Sequence, residues 1–312
     1  MSGVSLSDAA AADGLKPSLA ELVALRALAQ RRPPARKGRH GFAGQAASNV
    51  RGRGMEYAES REYVPGDDVR HIDWRLTARS GRTHTKLFQA ERERLTLIVA
   101  DTAPTLYFGT RVRFKSVQAA RAGALAAWAA ARDGDRVAIL RGSKKEAPVA
   151  PAAGARGALR ALDALVRWYA QPPAEDAGLA TALEQAGRLL RPGSRLVILA
   201  DPRSIAAVPE TRWAQLAAHH EVVVLLLTDP LEMEPPKDVL PFAGGRAGRG
   251  DRVELDLGNV SQRQKWRSRF VAPVEQALKL LPSRGVRAFA LATDATSEAW
   301  LPLLGRTRPE VA

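Results

Sequence analysis

The 312-residue chain contains no cysteine, which excludes disulfides, thiolate nucleophiles and cysteine-ligated zinc. Its five histidines are scattered, with no pair at the spacing of a helical zinc site. Aromatic residues make up only 5% of the chain, so stacking platforms for bases are in short supply. No uninterrupted apolar run reaches the roughly 18 residues that a membrane span requires. Asp8 and Asp13 stand where a secretory leader would be basic and then apolar. Cytoplasmic residence is the expectation. Enzymatic signatures are also missing. There is no Gly-x-Ser-x-Gly elbow, no phosphate-cradling loop ending in Gly-Lys-Ser/Thr, and no Gly-x-Gly-x-x-Gly after a strand.

What the chain has is charge, with a formal net value of +14. Such an excess suits nucleic acid, an anionic surface or an acidic protein partner. Arginine is spread along most of the sequence rather than gathered, and this favours a general surface property. Hydrophobic residues make up 46%, enough for a sizeable core at this length.

The densest chemistry lies between Gly54 and Glu93, centred on the stretch from Arg61 to Arg75. Pro65-Gly66-Asp67-Asp68 is a turn signal, because proline presets one dihedral angle and glycine supplies the other. Glu56, Glu59, Arg61, Glu62, Asp67, Asp68, Arg70, Asp73, Arg75 and Arg79 surround it. Arg61, Asp67, Asp68, Arg70 and Asp73 are expected to form one linked network of bidentate pairs that docks this segment on the following domain. Tyr57, Tyr63 and Trp74 are expected to shield it, with Trp74 as a packing anchor.

This stretch carries a resemblance. Gly52-x-Gly54, Glu56-Tyr57-Ala58-Glu59-Ser60-Arg61-Glu62-Tyr63, Pro65-Gly66-Asp67-Asp68, Arg70-x-Ile72-Asp73-Trp74 and Ala78-Arg79 resemble the signature of the domain of unknown function 58 family. The likeness runs from about Arg51 to Arg94. It implies a von Willebrand factor A-like domain after the signature and a MoxR-type AAA+ ATPase as partner. No enzymatic activity is implied.

Along the chain, residues 1–50 read as a tail, a helix and a basic linker, residues 51–94 as the charged signature subdomain, and residues 95–312 as a larger domain. Leu19, Leu22, Leu25 and Leu28 recur at helical spacing, and Ser18 with Glu21 resembles a capping box. Arg31 to Arg53 is rich in Arg, Gly and Pro and reads as the linker. From Leu95 onward, buried apolar strands alternate with helices, as in a doubly wound, mostly parallel α/β sheet. Residues 253–257 read as an edge strand, 260–281 as one long helix, and a terminal helix is expected from about Ser297. Gly244 to Gly250 reads as an exposed cationic hairpin loop.

Three of the strands end in acid, at Asp101, Asp201 and Asp229. In such sheets ligands bind beyond the carboxyl ends of the strands. The von Willebrand factor A resemblance implies a metal-ion-dependent adhesion site there, by position Asp101, Ala103, Thr105, Thr181 and Asp201, taking Mg²⁺. Ala103 departs from that pattern, since it has no oxygen where a ligating hydroxyl is implied. The bland alternative is that Asp101 and Asp201 cap the turns that follow them. The functional expectation is a non-catalytic adaptor for a MoxR-type ATPase and a client protein. The alternatives are a nucleic-acid binder driven by net charge, and a metal-dependent hydrolase built on Asp101, Asp201 and Asp229.

Overall fold

The computed structural model describes residues 14–31, 55–90, 94–244 and 251–304. The Gly52 and Gly54 positions, the Glu56 side chain, most of the basic linker and the tip of the glycine-rich loop lie outside the described residues. The chain divides into two compact units, residues 39–93 and residues 1–38 together with 94–312.

Two short helices come first, α1 (Leu19–Ala24) and α2 (Arg26–Gln30). Ser18 caps α1 by accepting the Glu21 amide at 3.2 Å, but the Glu21 carboxylate pairs with Arg121 instead of closing the box. Leu22 and Leu25 are buried, while Leu19 remains exposed. Trp128 donates its indole N–H to the Leu22 carbonyl at 3.0 Å, tying this pair of helices to the rest of the larger unit.

The smaller unit is a two-stranded antiparallel ribbon, β1 (Met55–Glu62) and β2 (His84–Ala90), with helix α3 (Trp74–Ser80) between the strands. The predicted turn is present. The Asp67 amide donates to the Val64 carbonyl at 3.0 Å, and Gly66 takes a φ of 110°, which only glycine adopts readily. Asp67 accepts Arg61 at 2.6 Å and the Val64 amide at 3.0 Å. Asp68 accepts the Arg70 amide at 3.0 Å, and Asp73 caps α3 through the Leu76 amide at 3.1 Å. The expected single network therefore resolves into separate local bonds, each holding a turn or a helix start. Asp67 takes the Arg61 guanidinium as well as an amide, whereas Asp68 and Asp73 accept backbone amides two and three residues ahead. Trp74 is not a packing anchor, for it stands 70% exposed at the first position of α3.

The larger unit alternates strand and helix. Its elements are β3 (Leu95–Ala100), α4 (Lys115–Arg132), β4 (Arg136–Arg141), β5 (Val149–Ala153), α5 (Gly154–Tyr169), α6 (Gly178–Leu189), β6 (Arg195–Ala200), α7 (Glu210–His219), β7 (Glu221–Thr228) and α8 (Pro230–Met233). There follow a separate antiparallel hairpin, β8 (Val239–Gly244) with β9 (Asp251–Asp256), then α9 (Val260–Trp266), α10 (Ala272–Ser283) and β10 (Arg287–Ala292). The main sheet has six strands in the order β10-β7-β6-β3-β4-β5, parallel except for the β5 edge. The α/β expectation holds in that form, a mixed sheet flanked by helices.

Period-2 alternation sends successive strand residues to opposite faces. Ile98, Val197, Leu199, Val223 and Leu225 join the core beneath α4 and α5, while Leu97, Val99, Ile198, Val224 and Leu226 join the one beneath α6, α7 and α10. Helix α4 is buried from Lys115 to Ala130 except at Arg121, and its alanines permit this close approach. The N-terminal edge of the sheet closes around Arg195, which pairs with Glu221 at 3.0 Å and Asp133 at 3.3 Å. Arg94 adds bonds to Asp135 at 2.9 Å and Glu221 at 3.2 Å.

Two expectations are corrected here. Residues 251–256 pair with β8 in their own hairpin instead of edging the main sheet. Beyond Ser297, the described residues contain one short 3₁₀ turn, Leu301–Leu303, in place of a terminal helix. The expected long helix does form, but it passes through a π-helical turn, Arg267–Val271, between α9 and α10.

The cap on α3 is directly testable. Asp73→Ala should lower the melting temperature by roughly a few degrees and speed amide exchange in α3, whereas Asp73→Asn should retain most of the protection. Unchanged exchange in Asp73→Ala would show that the cap contributes nothing.

Candidate functional site at the carboxyl edge of the sheet

Strand β3 is followed in the chain by β4 and β5 on one side, and β6, β7 and β10 extend the sheet on the other. The direction of winding reverses between β3 and β6, where an open α/β sheet leaves a crevice at the strand ends. Asp101 follows β3 and Asp201 follows β6, so both acids sit at this reversal. Both are nearly fully buried.

Asp101 accepts the Ala103 amide at 3.0 Å with one oxygen and the Asp201 amide at 2.9 Å with the other. Burial pushes its carboxyl up to about 6, against the opposing effect of the Ser204 hydroxyl and these two amides. Asp201 behaves in the opposite way. Burial would raise it, but Arg203 and Lys115 together hold it down at about 2. Arg203 reaches it through Nε at 3.0 Å and Nη2 at 3.2 Å, and Lys115 through Nζ at 3.3 Å. The Thr105 hydroxyl donates to the same carboxylate at 2.7 Å.

Lys115 is only 1% exposed, and its ammonium also meets Glu232 at 2.7 Å. Burial raises the Glu232 carboxyl in spite of that contact. Asp229, fully buried, accepts the Thr110 hydroxyl at 2.6 Å, the Thr293 hydroxyl at 2.7 Å, and the Thr110 and Leu231 amides at 3.0 Å each. With four donors in place it acts as a clamp between loops.

The sequence-derived group is thus partly assembled. Asp101, Thr105 and Asp201 come together, whereas Thr181 lies in the first turn of α6 and bonds to none of them. These residues do not fit a divalent cation. Asp101 has committed both oxygens to backbone amides, Ala103 brings none, and Asp201 is already neutralised by an ammonium and a guanidinium. Among the described residues, no group of three or more His, Asp or Glu side chains is arranged to hold a metal ion. Asp101, Asp201 and Asp229 are each held by hydrogen bonds to the loops around them.

Sequence reasoning missed Lys115, Arg203 and Glu232. One signal was available: a lysine at the first position of α4 opposes the helix dipole, so it needs a nearby anion to be stable there.

Beside Thr105, Arg203 and Glu232 opens a cavity of about 660 Å³. Its apolar wall includes Phe108, Phe242, Leu255, Trp266 and Phe270. Ring centroids of Trp266 and Phe270 are 4.5 Å apart, and those of Phe242 and Trp266 are 5.6 Å apart. The Trp266 indole donates to the Glu232 carbonyl at 3.0 Å, and the Arg203 guanidinium lies 5.4 Å from the Phe270 ring centre. In a chain this poor in aromatics, such a concentration marks the cavity as a built feature. Trp266 and Phe270 follow Gln262 at intervals of four, so one face of the expected long helix carried the signal.

Two measurements test the electrostatics of this edge. Lys115→Met should cost about 3–5 kcal/mol in urea unfolding, because it leaves Asp201 and Glu232 buried without their shared cation. A loss below about 1 kcal/mol would deny the ammonium its role. In calorimetry with millimolar Mg²⁺, neither the native chain nor Ala103→Ser should give binding heat, and saturable binding by either would overturn the misfit.

The comparisons with known proteins agree with one another. Uncharacterized proteins of Mycobacterium bovis and of two strains of Mycobacterium tuberculosis are each 32% identical over 192 residues, covering 60% of this chain. The matched part spans 59% of the length of each relative. The family described as "Protein of unknown function DUF58" matches residues 59–275, which include α3, the Asp101–Asp201 edge, the β8–β9 hairpin and the whole aromatic wall. By that match, the chain belongs to the DUF58 family.

Proposed function

We propose that the chain is a non-catalytic adaptor that works with a MoxR-type AAA+ ATPase in the maturation or assembly of client proteins. The observation that carries this reading is the surface of the signature unit. Trp74 is 70% exposed there, and Val64 and Val69 in the same stretch are 54% and 60% exposed. Large apolar side chains left to solvent amid fixed charges are characteristic of protein-binding surfaces. Tyr63, Pro65, Gly66 and the Arg61–Asp67 pair hold that surface in one shape, with Asp68, Arg70, Asp73 and Arg79 around it.

The fold reading that accompanies it is von Willebrand factor A-like. It is supported by the mixed six-stranded sheet with helices on both faces, and by Thr105 meeting Asp201 across the two loops that the resemblance pairs. In this version of the edge, Lys115 and Arg203 take the charge role of the cation, so partner binding proceeds without Mg²⁺.

Co-purification with a MoxR-type AAA+ ATPase from the same genome is the test. The tagged chain should retain the ATPase after nuclease and EDTA treatment, and Trp74→Ala should reduce retention at least fivefold without loss of fold. Retention abolished by nuclease would move the reading to nucleic acid. Equal retention by Trp74→Ala would place the contact elsewhere.

A further inference from the structure

The aromatic cavity is lined by residues of the larger unit, and none of its wall belongs to the signature. Three features of it lack a partner among the described residues. The first is the apolar wall itself, contributed by the loop after β3, both strands of the β8–β9 hairpin, α9 and the π-helical turn. A wall drawn from so many separate elements encloses space that no side chain of the described residues fills.

The second is a pair of cations. Lys265 and Arg269 line the cavity, are both exposed, and make no ion pair with any described residue. Their neighbours differ. Arg203 is held by Asp201, Arg267 by Glu275 at 2.8 Å, and Arg263 donates to the Pro235 and Leu257 carbonyls. The third is Gln262, whose side-chain oxygen is buried at the cavity without a donor. A buried acceptor left unmade costs free energy, and a ligand N–H would recover it.

We propose that this cavity receives a polypeptide segment that presents a large apolar side chain next to carboxylates. The apolar side chain enters between Phe108, Phe242, Trp266 and Phe270. Its neighbouring carboxylates reach Lys265 and Arg269, which are free to pair bidentately or as a point charge. Rotation of the Gln262 side chain would turn its oxygen, closed to solvent in this structure, toward a backbone N–H of the segment, a donor that a simple fatty or aromatic acid does not possess. The π-helical turn has a role here as well. It lies between α9 and α10 and carries Arg269 and Phe270, so cation and ring arrive at the cavity together. The net charge of +14 adds long-range attraction for an acidic segment.

Fluorescence anisotropy of the full-length chain tests this with a fluorescein-labelled acidic hexapeptide containing Leu-Phe flanked by glutamates. Saturable binding in the micromolar range is expected, with at least a tenfold loss when Leu-Phe becomes Ser-Ser or the glutamates become glutamines. Lys265→Glu combined with Arg269→Glu, both at exposed positions, should weaken binding at least tenfold with an unchanged circular dichroism spectrum. Phe270→Ser should do the same through the wall. Absence of binding, or binding indifferent to both variants, would overturn the proposal. Displacement by decanoate at concentrations equal to the peptide would assign the cavity to small carboxylic acids instead, and displacement by single-stranded oligothymidine would assign it to nucleic acid. Either result overturns the peptide assignment. No ATPase enters this assay, so a failed ATPase co-purification and a failed peptide titration are separate outcomes.

Discussion

An ammonium buried between two carboxylates organises the carboxyl edge of the sheet. Lys115 connects the start of α4 to the end of β6 through Asp201 and to the start of α8 through Glu232. Glu232 in turn accepts the Asp229 amide, and Asp229 ties the loop carrying Thr110 to the segment after β10. A chain of charge-assisted bonds thus spans the carboxyl ends of β6, β7 and β10. In a low-dielectric interior such a chain is stable only when every member is satisfied, because any gap leaves a bare charge. The arrangement therefore demands several residues at once and resists piecemeal change.

The bonds give each acid of the edge its own partners. An edge where three strands end in acid suggests metal binding or acid–base catalysis when seen as a list of residues. Once the bonds are drawn, Asp101 serves two amides, Asp201 serves two cations and a hydroxyl, and Asp229 serves four donors. The acids position loops. What the edge offers outward is the surface those loops create, including the aromatic cavity whose wall is fastened to the Glu232 carbonyl by Trp266.

The signature unit shows the same economy in a wetter setting. Three of its aspartates each hold a local feature: Asp67 the turn, Asp68 a short 3₁₀ start, Asp73 a helix cap. The exposed Arg61–Asp67 pair contributes little stability by itself, as is usual for pairs open to solvent. Its value is shape. A rigid charged turn beside exposed Trp74 suits recognition better than it suits a core.

How much was legible beforehand divides along a physical line. Strand and helix alternation from Leu95 to Ala292 follows from apolar periodicity, which is local, and the structure follows it closely for β3, α4, β6 and β7. The Pro65-Gly66 turn and the Ser18 cap are equally local, since each depends on one or two residues. Composition and motif spacing were enough to exclude thiol chemistry and to point to the DUF58 family. Tertiary structure alone decided what the charged residues do. No local rule says that Lys115 lies opposite Asp201, 86 positions away, or opposite Glu232, 117 positions away. Nor does any rule place residues 251–256 in a separate hairpin or bring Phe108 to Trp266 and Phe270. The reason is that electrostatic and aromatic partners are selected by proximity in three dimensions, whereas backbone periodicity is written along the chain.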